Sequence, residues 1–145
     1  MDIFAFGNSI FEGMKSYVEK QMLSTYPNLR IKESVIEKQF PLIIFRQPRI
    51  SPISETTRNE IIKNSHEFEI TVYAKNENIN GKLKEANEII KDLVNVIMYY
   101  LQNICRFKRI NLQTDLDNFD NSNIKSKRAV IRFNVKCLQR NYNIL

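Results

Sequence analysis

The feature that most constrains the fold is a strict alternation of apolar and polar side chains over residues 65–75. Successive side chains of a β-strand point to opposite faces, so this pattern predicts a strand with one buried face and one partly wet face. Residues 127–138 repeat the alternation, with basic side chains on the polar face. If the two strands are neighbours, acidic side chains of the first would face basic side chains of the second. The apolar set of the first strand is Phe68, Ile70, Val72 and Ala74.

Two segments have the apolar spacing of amphipathic helices. The first covers residues 9–23, and Ser9 with Glu12 forms a capping box at its start. The second covers residues 80–105 with Asn80 as its N-cap, and it becomes apolar almost all round towards its end. We expect the first helix or a neighbouring subunit to cover that end. The stripe of the second helix comprises Leu83, Ala86, Ile90, Leu93, Val94, Ile97, Leu101 and Ile104.

Three further strands are predicted, at residues 29–37, 40–45 and 108–114. The middle one is a continuous apolar run, which is typical of a strand buried on both faces. In the last one, Ile110 and Leu112 are expected to point inward. The order α-β-β-β-α-β-β favours an α+β fold, in which two helices pack on one face of a mainly antiparallel, four- to five-stranded sheet.

The segment between the second and third predicted strands, residues 46–64, follows neither period. Because Pro48 and Pro52 interrupt it, we expect a long loop, and long loops in compact domains are usually functional or disordered. Its last part, residues 58–64, is compatible with an extension of the next strand into an arm.

The chain has 145 residues, which fits a single domain over residues 1–145 that needs no disulfide or metal to fold. No recognisable catalytic or cofactor motif is present. His66 is the only histidine, and a surface or hydrogen-bonded role is favoured over base catalysis, which needs positioned partners. Cys105 and Cys137 are predicted to be buried free thiols. We therefore expect a non-enzymatic protein without a cofactor or a metal.

The net charge is +6, from 22 basic and 16 acidic residues. One basic cluster is residues 106–109; the other comprises Lys125, Lys127, Arg128, Arg132 and Lys136. Such clusters can contact phosphates, but a solvated sheet face and a helix C-terminus that favours cations are the favoured explanation. The longest apolar run, residues 96–101, is too short to cross a bilayer, and we expect a protein that stays in the cytoplasm without a membrane partner.

A family resemblance rests on five segments. They are the N-terminal amphipathic helix, the Phe-Pro-Leu-Ile-Ile strand at 40–44, the strand at 66–75, the Ala-Asn-Glu-Ile-Ile helix start at 86–90, and the closing strands at 107–115 and 128–135. In this arrangement, which spans roughly residues 9–138, the chain resembles the tail terminators of tailed bacteriophages, also called tail-completion or head–tail joining proteins. The family has no invariant chemical signature and no catalytic residues to carry over.

The resemblance implies a homohexameric ring on the head-proximal end of the tail tube of a virion or phage-tail-like particle, assembled in the host cytoplasm. The ring would stop tube polymerisation and join the tail to the head connector. Its partners would be copies of itself, the tube protein, the connector or adaptor protein and, in a contractile tail, the sheath, with DNA only passing through the lumen. Alternatives are a head–tail adaptor or connector protein and a small basic nucleic-acid-binding protein. Candidate interface residues are Arg46, Arg49, Arg58 and Lys63 in the arm, and Asp115, Asp117 and Asp120 in the loop between the last two strands.

Overall fold

The structure, a computed structural model, describes residues 4–33, 39–55, 61–119 and 126–140. The fold is α+β, as predicted. Its helices are α1 (Ala5–Met22) and α2 (Ala86–Tyr99), and α2 continues into a π-helical turn at Tyr100–Ile104. Its strands are β1 (Arg30–Glu33), β2 (Leu42–Glu55), β3 (Ile61–Ala74), β4 (Glu77–Ile79), β5 (Lys82–Lys84), β6 (Asn111–Phe119) and β7 (Ser126–Arg140).

Five strands form one sheet in the order β1-β2-β3-β7-β6, while β4 and β5 form a separate small hairpin. β1 runs parallel to β2, and every other neighbouring pair in the sheet is antiparallel. The register places Glu69 of β3 opposite Arg132 of β7. The prediction that the two alternating strands could be neighbours is therefore confirmed.

Both helices pack on one face of the sheet, and the core lies between. From Phe68 to Ala74 on β3 and from Ala129 to Phe133 on β7, the alternating apolar residues face the helices and are completely buried or nearly so. The run at 42–45 is buried on both faces, as its continuous apolar sequence predicts. Core members from the sheet are Ile31, Ile43, Phe45, Phe68, Ile70, Val72, Ala74, Ala129, Ile131 and Phe133.

The first helix begins four residues earlier than predicted, at Ala5, so the capping box at Ser9 and Glu12 is wrong. Phe4 holds the N-cap position and makes no side-chain capping bond. The first turn is instead held by tertiary contacts, since the Phe6 ring lies 5.1 Å from His66 and 6.0 Å from Phe68. Packing replaces the local signal here.

The second helix begins at Ala86, so the prediction of a start at Asn80 is also wrong. Asn80 and Gly81 both have positive φ values, 54° and 80°, and they form the turn of the β4–β5 hairpin. An Asn-Gly pair with such angles is the preferred two-residue hairpin turn. The Ala86 amide donates instead to Asn76 Oδ1 at 2.8 Å. Leu83, expected in the helical stripe, is 64% exposed in the hairpin.

The apolar end of α2 is partly covered by α1, one of the two covers that the sequence predicts. Tyr17 of α1 stacks against Tyr100 at 5.4 Å and Tyr99 at 6.2 Å, measured between ring centroids. A side chain at Gly13 would collide with the Tyr100 hydroxyl, so this close approach needs glycine. Tyr99 and Ile104 remain about half exposed. No helix of the described residues is long and apolar enough to cross a membrane.

The segment at 46–64 is not a loop in its described residues. β2 continues to Glu55, and β3 resumes at Ile61. The strand tolerates Pro48 because the β2–β3 register shifts between Arg46 and Arg49, and Pro52 pairs with Asn64 immediately before a second shift, between Pro52 and Ser54. A bulge leaves one residue outside the ladder, and this is where a strand accepts proline.

β6 begins at Asn111 and extends to Phe119, whereas the sequence predicts a strand at 108–114. Ile110 packs against the core, as expected, but Leu112 is 46% exposed and its predicted inward position is wrong. β6 is an edge strand, and residues 111–114 are all exposed. Alternation identifies a strand, but it does not tell whether a helix covers it.

Candidate assembly surfaces

Three strands continue beyond the core and form an extension that we call the arm: residues 51–55 of β2, 61–65 of β3 and 136–140 of β7. Among the side chains that the structure describes, the buried core cluster ends at Phe45, Phe68 and Phe133 on these strands, and half-buried Val135 packs against it. Pairing nevertheless continues to Glu55 with Ile62 and to Ile61 with Arg140. At about 3.4 Å per residue, the arm projects roughly 17 Å.

His66 lies at the root of the arm and is fully buried. Its Nδ1 is 2.9 Å from Gln47 Nε2, and its ring meets Phe6 edge-on and Phe68 face-on. Burial lowers the pKa of His66, so the ring is neutral near pH 7 and Nδ1 accepts a hydrogen bond from the Gln47 amide. The sequence predicted either a surface or a hydrogen-bonded role for His66. The hydrogen-bonded role is confirmed, and burial excludes the surface role.

Arg46 and Arg49, two of the predicted interface residues, lie next to the root of the arm. Arg49 is strongly exposed, and its Nε lies 3.9 Å from Glu67 Oε2, which makes a weak surface ion pair. Arg46 is half-buried opposite Glu69. Lys63 belongs to the β3 part of the arm.

The acidic candidates lie towards the other end of the sheet, so the structure does not bring the two predicted groups together. In the strand register, Asp115 lies opposite Arg128 of β7. Arg46 aligns across the sheet with Arg132, which is four residues further along β7. The arm lies beyond Arg132 in the opposite direction. The expected loop is also partly wrong, because Asp115 and Asp117 belong to β6. Arg58 and Asp120 lie outside the described residues.

The sheet face opposite the helices, which we call the polar face, has an ion-pair network at its centre. Arg132 Nε lies 3.2 Å from Glu69 Oε2, and an Arg132 terminal nitrogen donates to Gln113 Oε1 at 3.2 Å. This pairing of the β3 and β7 charges is the one the sequence predicts. Among the side chains described on this face, basic ones outnumber acidic ones, with Arg46, Arg49, Arg128, Arg132 and Lys136 against Glu67 and Glu69.

A cleft of about 810 Å³, which we call the edge cleft, lies between residues 106–109 and residues 132–136 of β7. Its lining includes Phe133 and Val135 from one face of β7 and Asn134 and Lys136 from the other, so the cleft opens onto the edge of the strand. The sequence treats the basic clusters at 106–109 and on β7 as separate. The structure joins them, and no local signal predicts this because strand order is a tertiary property.

Residues 106–109 are held in an unusual backbone conformation. Arg106 and Arg109 both have φ of 59°, in the left-handed region that costs a residue with a side chain about 1–3 kcal/mol. Between them, the Phe107 ring stacks on Phe133 at 5.5 Å, and the Phe107 amide donates to the Leu101 carbonyl at 2.9 Å. These contacts keep the segment against β7 while both arginines stay exposed.

Among the described residues, the other side chains that could bind a metal or act as nucleophiles do not form a cluster. Within the described ranges, no cluster of His, Cys, Asp and Glu side chains could hold a metal ion. Cys105 and Cys137 are not joined in a disulfide and are only half-buried, so the prediction of buried thiols is wrong. Burial raises the pKa of Cys105, which keeps that thiol protonated and poorly nucleophilic. The Tyr26 hydroxyl donates a hydrogen bond to the Asp92 carboxylate. The pKa of Tyr26 is raised, mainly by burial and secondly by this hydrogen bond.

No protein-family model matches this sequence, and no curated protein matches it significantly.

Proposed function

We propose that this chain is a structural subunit of a tailed phage or phage-tail-like particle, a tail terminator. Copies of it form a ring that caps the head-proximal end of the tail tube, ends tube polymerisation and joins the tail to the head connector. The arm is the observation that carries the proposal. Its strands continue to pair beyond the core that the sheet forms with the two helices.

An arm of this kind serves contact with other chains better than it serves the stability of its own domain. A hairpin on its own is marginally stable in water, and strand edges present unpaired backbone groups that other chains can pair with. Continuing β2, β3 and β7 past the core adds such edges, and among the described side chains of the arm only Asn64 is buried. The resemblance to tail terminators supplies the kind of assembly in which these contacts operate.

The mechanism of a terminator is geometric. A closed ring of identical subunits matches the symmetry of the tube at one end and leaves no surface for another tube ring to join. Its opposite side presents a new surface to the connector. The mechanism needs no bond-breaking chemistry.

Nucleic-acid binding is a second candidate, and the edge cleft is the observation that favours it. The cleft gathers Arg106, Lys108, Arg109, Arg132 and Lys136 with an aromatic ring, Phe107, beside them. Cationic grooves with aromatic side chains bind single strands by charge and stacking. Such binding weakens steeply as salt is raised.

The test is electron microscopy of tail tubes, assembled from the tube protein of the same genome, after mixing with this protein. In a short-arm variant, residues 53–63 are replaced by Asn-Gly, which closes the register pair Pro52 and Asn64 with a two-residue turn. The control is Lys91→Glu, an exposed position on α2. Wild type and control should cap one tube end and limit tube length, whereas the short-arm variant should cap far fewer ends.

Tubes that elongate unchanged with wild-type protein would contradict the terminator proposal. If the protein ignores tubes but binds DNA oligonucleotides at physiological salt, the second candidate replaces it. An unfolding curve of the short-arm variant shows whether its loss of capping comes from the arm or from a damaged fold.

A further inference from the structure

The described lining of the edge cleft has five basic side chains and one acidic side chain, Glu67. Arg132 is paired with Glu69, but among the described residues the other four basic side chains form no ion pair. All four are exposed. A concave surface lined by one sign of charge concentrates ligands of the opposite sign, so the cleft suits an anionic ligand. The four unpaired cations are Arg106, Lys108, Arg109 and Lys136.

Two of these cations lie at backbone positions that suit glycine better than arginine. Arg106 and Arg109 both have a φ of 59°, where a Cβ atom is crowded. Arg106 directly follows Cys105, the C-cap of the helical turn, and a left-handed residue at that place is usually glycine. Arg109 lies in the connection to β6, away from any helix end of the described residues. Strain of this kind concentrates at ligand-binding sites, which indicates that the two arginine side chains are needed for binding.

The remaining polar lining of the cleft suits a polypeptide better than a nucleic-acid backbone. The Ser65 hydroxyl, the side-chain amides of Asn111 and Asn134, and the Glu67 carboxylate all supply hydrogen-bond acceptors beside the cations. A polypeptide backbone has N–H donors for such acceptors. A phosphodiester backbone has no donors, and Glu67 repels its negative charge.

The aromatic lining of the cleft also favours a peptide. One face of the Phe107 ring is stacked on Phe133, with 5.5 Å between the ring centroids. Proteins that bind single strands present rings on which successive bases stack, and the described lining has no aromatic residue besides these two. Charge therefore selects the ligand more than stacking does, and a peptide that meets the four cations must carry carboxylates.

We propose that the edge cleft binds an acidic polypeptide segment of another protein of the assembly, with carboxylates at the four unpaired cations and backbone amides at Glu67. The chain has a net charge of +6, so long-range attraction favours a different, acidic protein over a second copy. The inference rests on the proposed function, because it names the chemistry by which a terminator subunit holds one of its partners.

The test measures the binding of fluorescent probes to the full chain by anisotropy. The acidic probe is a peptide in which glutamate alternates with serine, and the neutral probe has glutamine in place of glutamate. Oligothymidylate of the same charge as the acidic probe represents nucleic acid. Wild type should bind the acidic probe more tightly than oligothymidylate and should not bind the neutral probe.

The first cleft variant replaces the two strained arginines, Arg106→Gly with Arg109→Gly. It should bind the acidic probe at least about tenfold more weakly than wild type, because two cations leave the cleft. It should also unfold at an equal or higher temperature, because glycine relieves both left-handed positions. The control, Lys82→Gln with Lys91→Gln, removes the same charge at exposed positions outside the cleft and should bind like wild type.

The second cleft variant, Lys108→Gln with Lys136→Gln, leaves the strained positions unchanged and should lose affinity to a similar extent. Equal affinities of the cleft variants and the control would overturn the site. A glycine variant that unfolds at a markedly lower temperature would also overturn it, because the arginines would then serve the fold.

Two further outcomes separate the cleft from the proposed function and from nucleic-acid binding. If wild type caps tubes but does not bind the acidic probe, the cleft proposal is overturned and the terminator stands. If the cleft binds the acidic probe but wild type ignores tubes, the cleft is supported and the terminator is overturned. Oligothymidylate bound as tightly as the acidic probe would overturn the peptide and assign the cleft to nucleic acid.

Discussion

The two parts of β7 share one alternating pattern but have different surroundings. In residues 126–132, the inward side chains Ala129 and Ile131 are fully buried, and strands lie on both sides. In residues 133–140, Phe133 still belongs to the core but Val135 is only half-buried, and among the described residues a strand lies on one side only. The first part holds the fold together, and the second extends it into a surface. Alternation therefore identifies a strand face without telling how much of that face the protein itself covers.

Truncating an inward apolar side chain in each part of β7 should give the largest difference in the free energy of unfolding. Ile131→Ala removes buried methylenes from the centre of the core and should lower the free energy of unfolding by about 2–5 kcal/mol. Val135→Ala should cost less, roughly 1 kcal/mol, because Val135 is smaller and half-buried. Urea unfolding of both variants measures the difference. Equal losses would mean that the second part of β7 is as well packed around Val135 as the core is around Ile131.

The boundary between the two parts should respond to pH through His66. Its pKa is lowered by burial, so the unfolded chain binds more protons than the folded chain as pH falls past about 6.5. This contribution to stability is fully present above that pH and is lost as pH falls towards the folded-state pKa. Urea unfolding between about pH 7.5 and 5.5 should show the decline.

His66→Gln is the control for the pH experiment, because glutamine keeps a hydrogen-bonding side chain but does not titrate. Its stability should vary less over the same pH range, whatever its absolute value. An equally steep decline in this variant would assign the pH dependence to other groups.

Weakening the helix that covers the first part should have a moderate effect. Asn76→Ala removes the acceptor of the Ala86 amide at the start of α2 and should cost about 1 kcal/mol, the usual loss for an N-terminal cap. Asn78→Ala, at an exposed position in β4, should change stability little. Thermal unfolding compares them, and matching values would mean that the Asn76 bond does not cap α2 in solution.

The smallest contrast concerns the ion pairs on the polar face. Arg132 and Glu69, 3.2 Å apart where the sheet still has strands on both sides of β7, should show a coupling of about 0.2–1 kcal/mol in a double-mutant cycle. Arg49 and Glu67, 3.9 Å apart and more exposed, should show almost none. A larger coupling for the second pair would indicate that the region near the arm is more rigid than its exposure suggests.

Local patterns predicted the parts of this protein that have a period. The alternation in β3 and in β7 up to Phe133, the apolar run at 42–45 and most of the apolar stripes of the helices correspond to buried faces, whereas Leu83 and Ile104 of the second stripe are exposed. Caps and turns, which depend on only one or two residues, are predicted less well. Ser9 suggested a helix start that the packing of Phe6 moves to Ala5, and the Asn80–Gly81 turn was missed although its residue types favour it.

The sequence by itself determined the fold class and the inner side of its main strands, because burial of a periodic apolar face depends mainly on local spacing. Only the tertiary structure decided the strand order, which joins residues 106–109 to β7 and separates the arm from the acidic strand. The tertiary structure also decided that residues 46–55 form a strand. A proline interrupts a ladder unless the strand opposite allows a bulge near it, and the proline alone does not show which case applies. The candidate site consists of such long-range relations, and a single sequence holds no local signal for them.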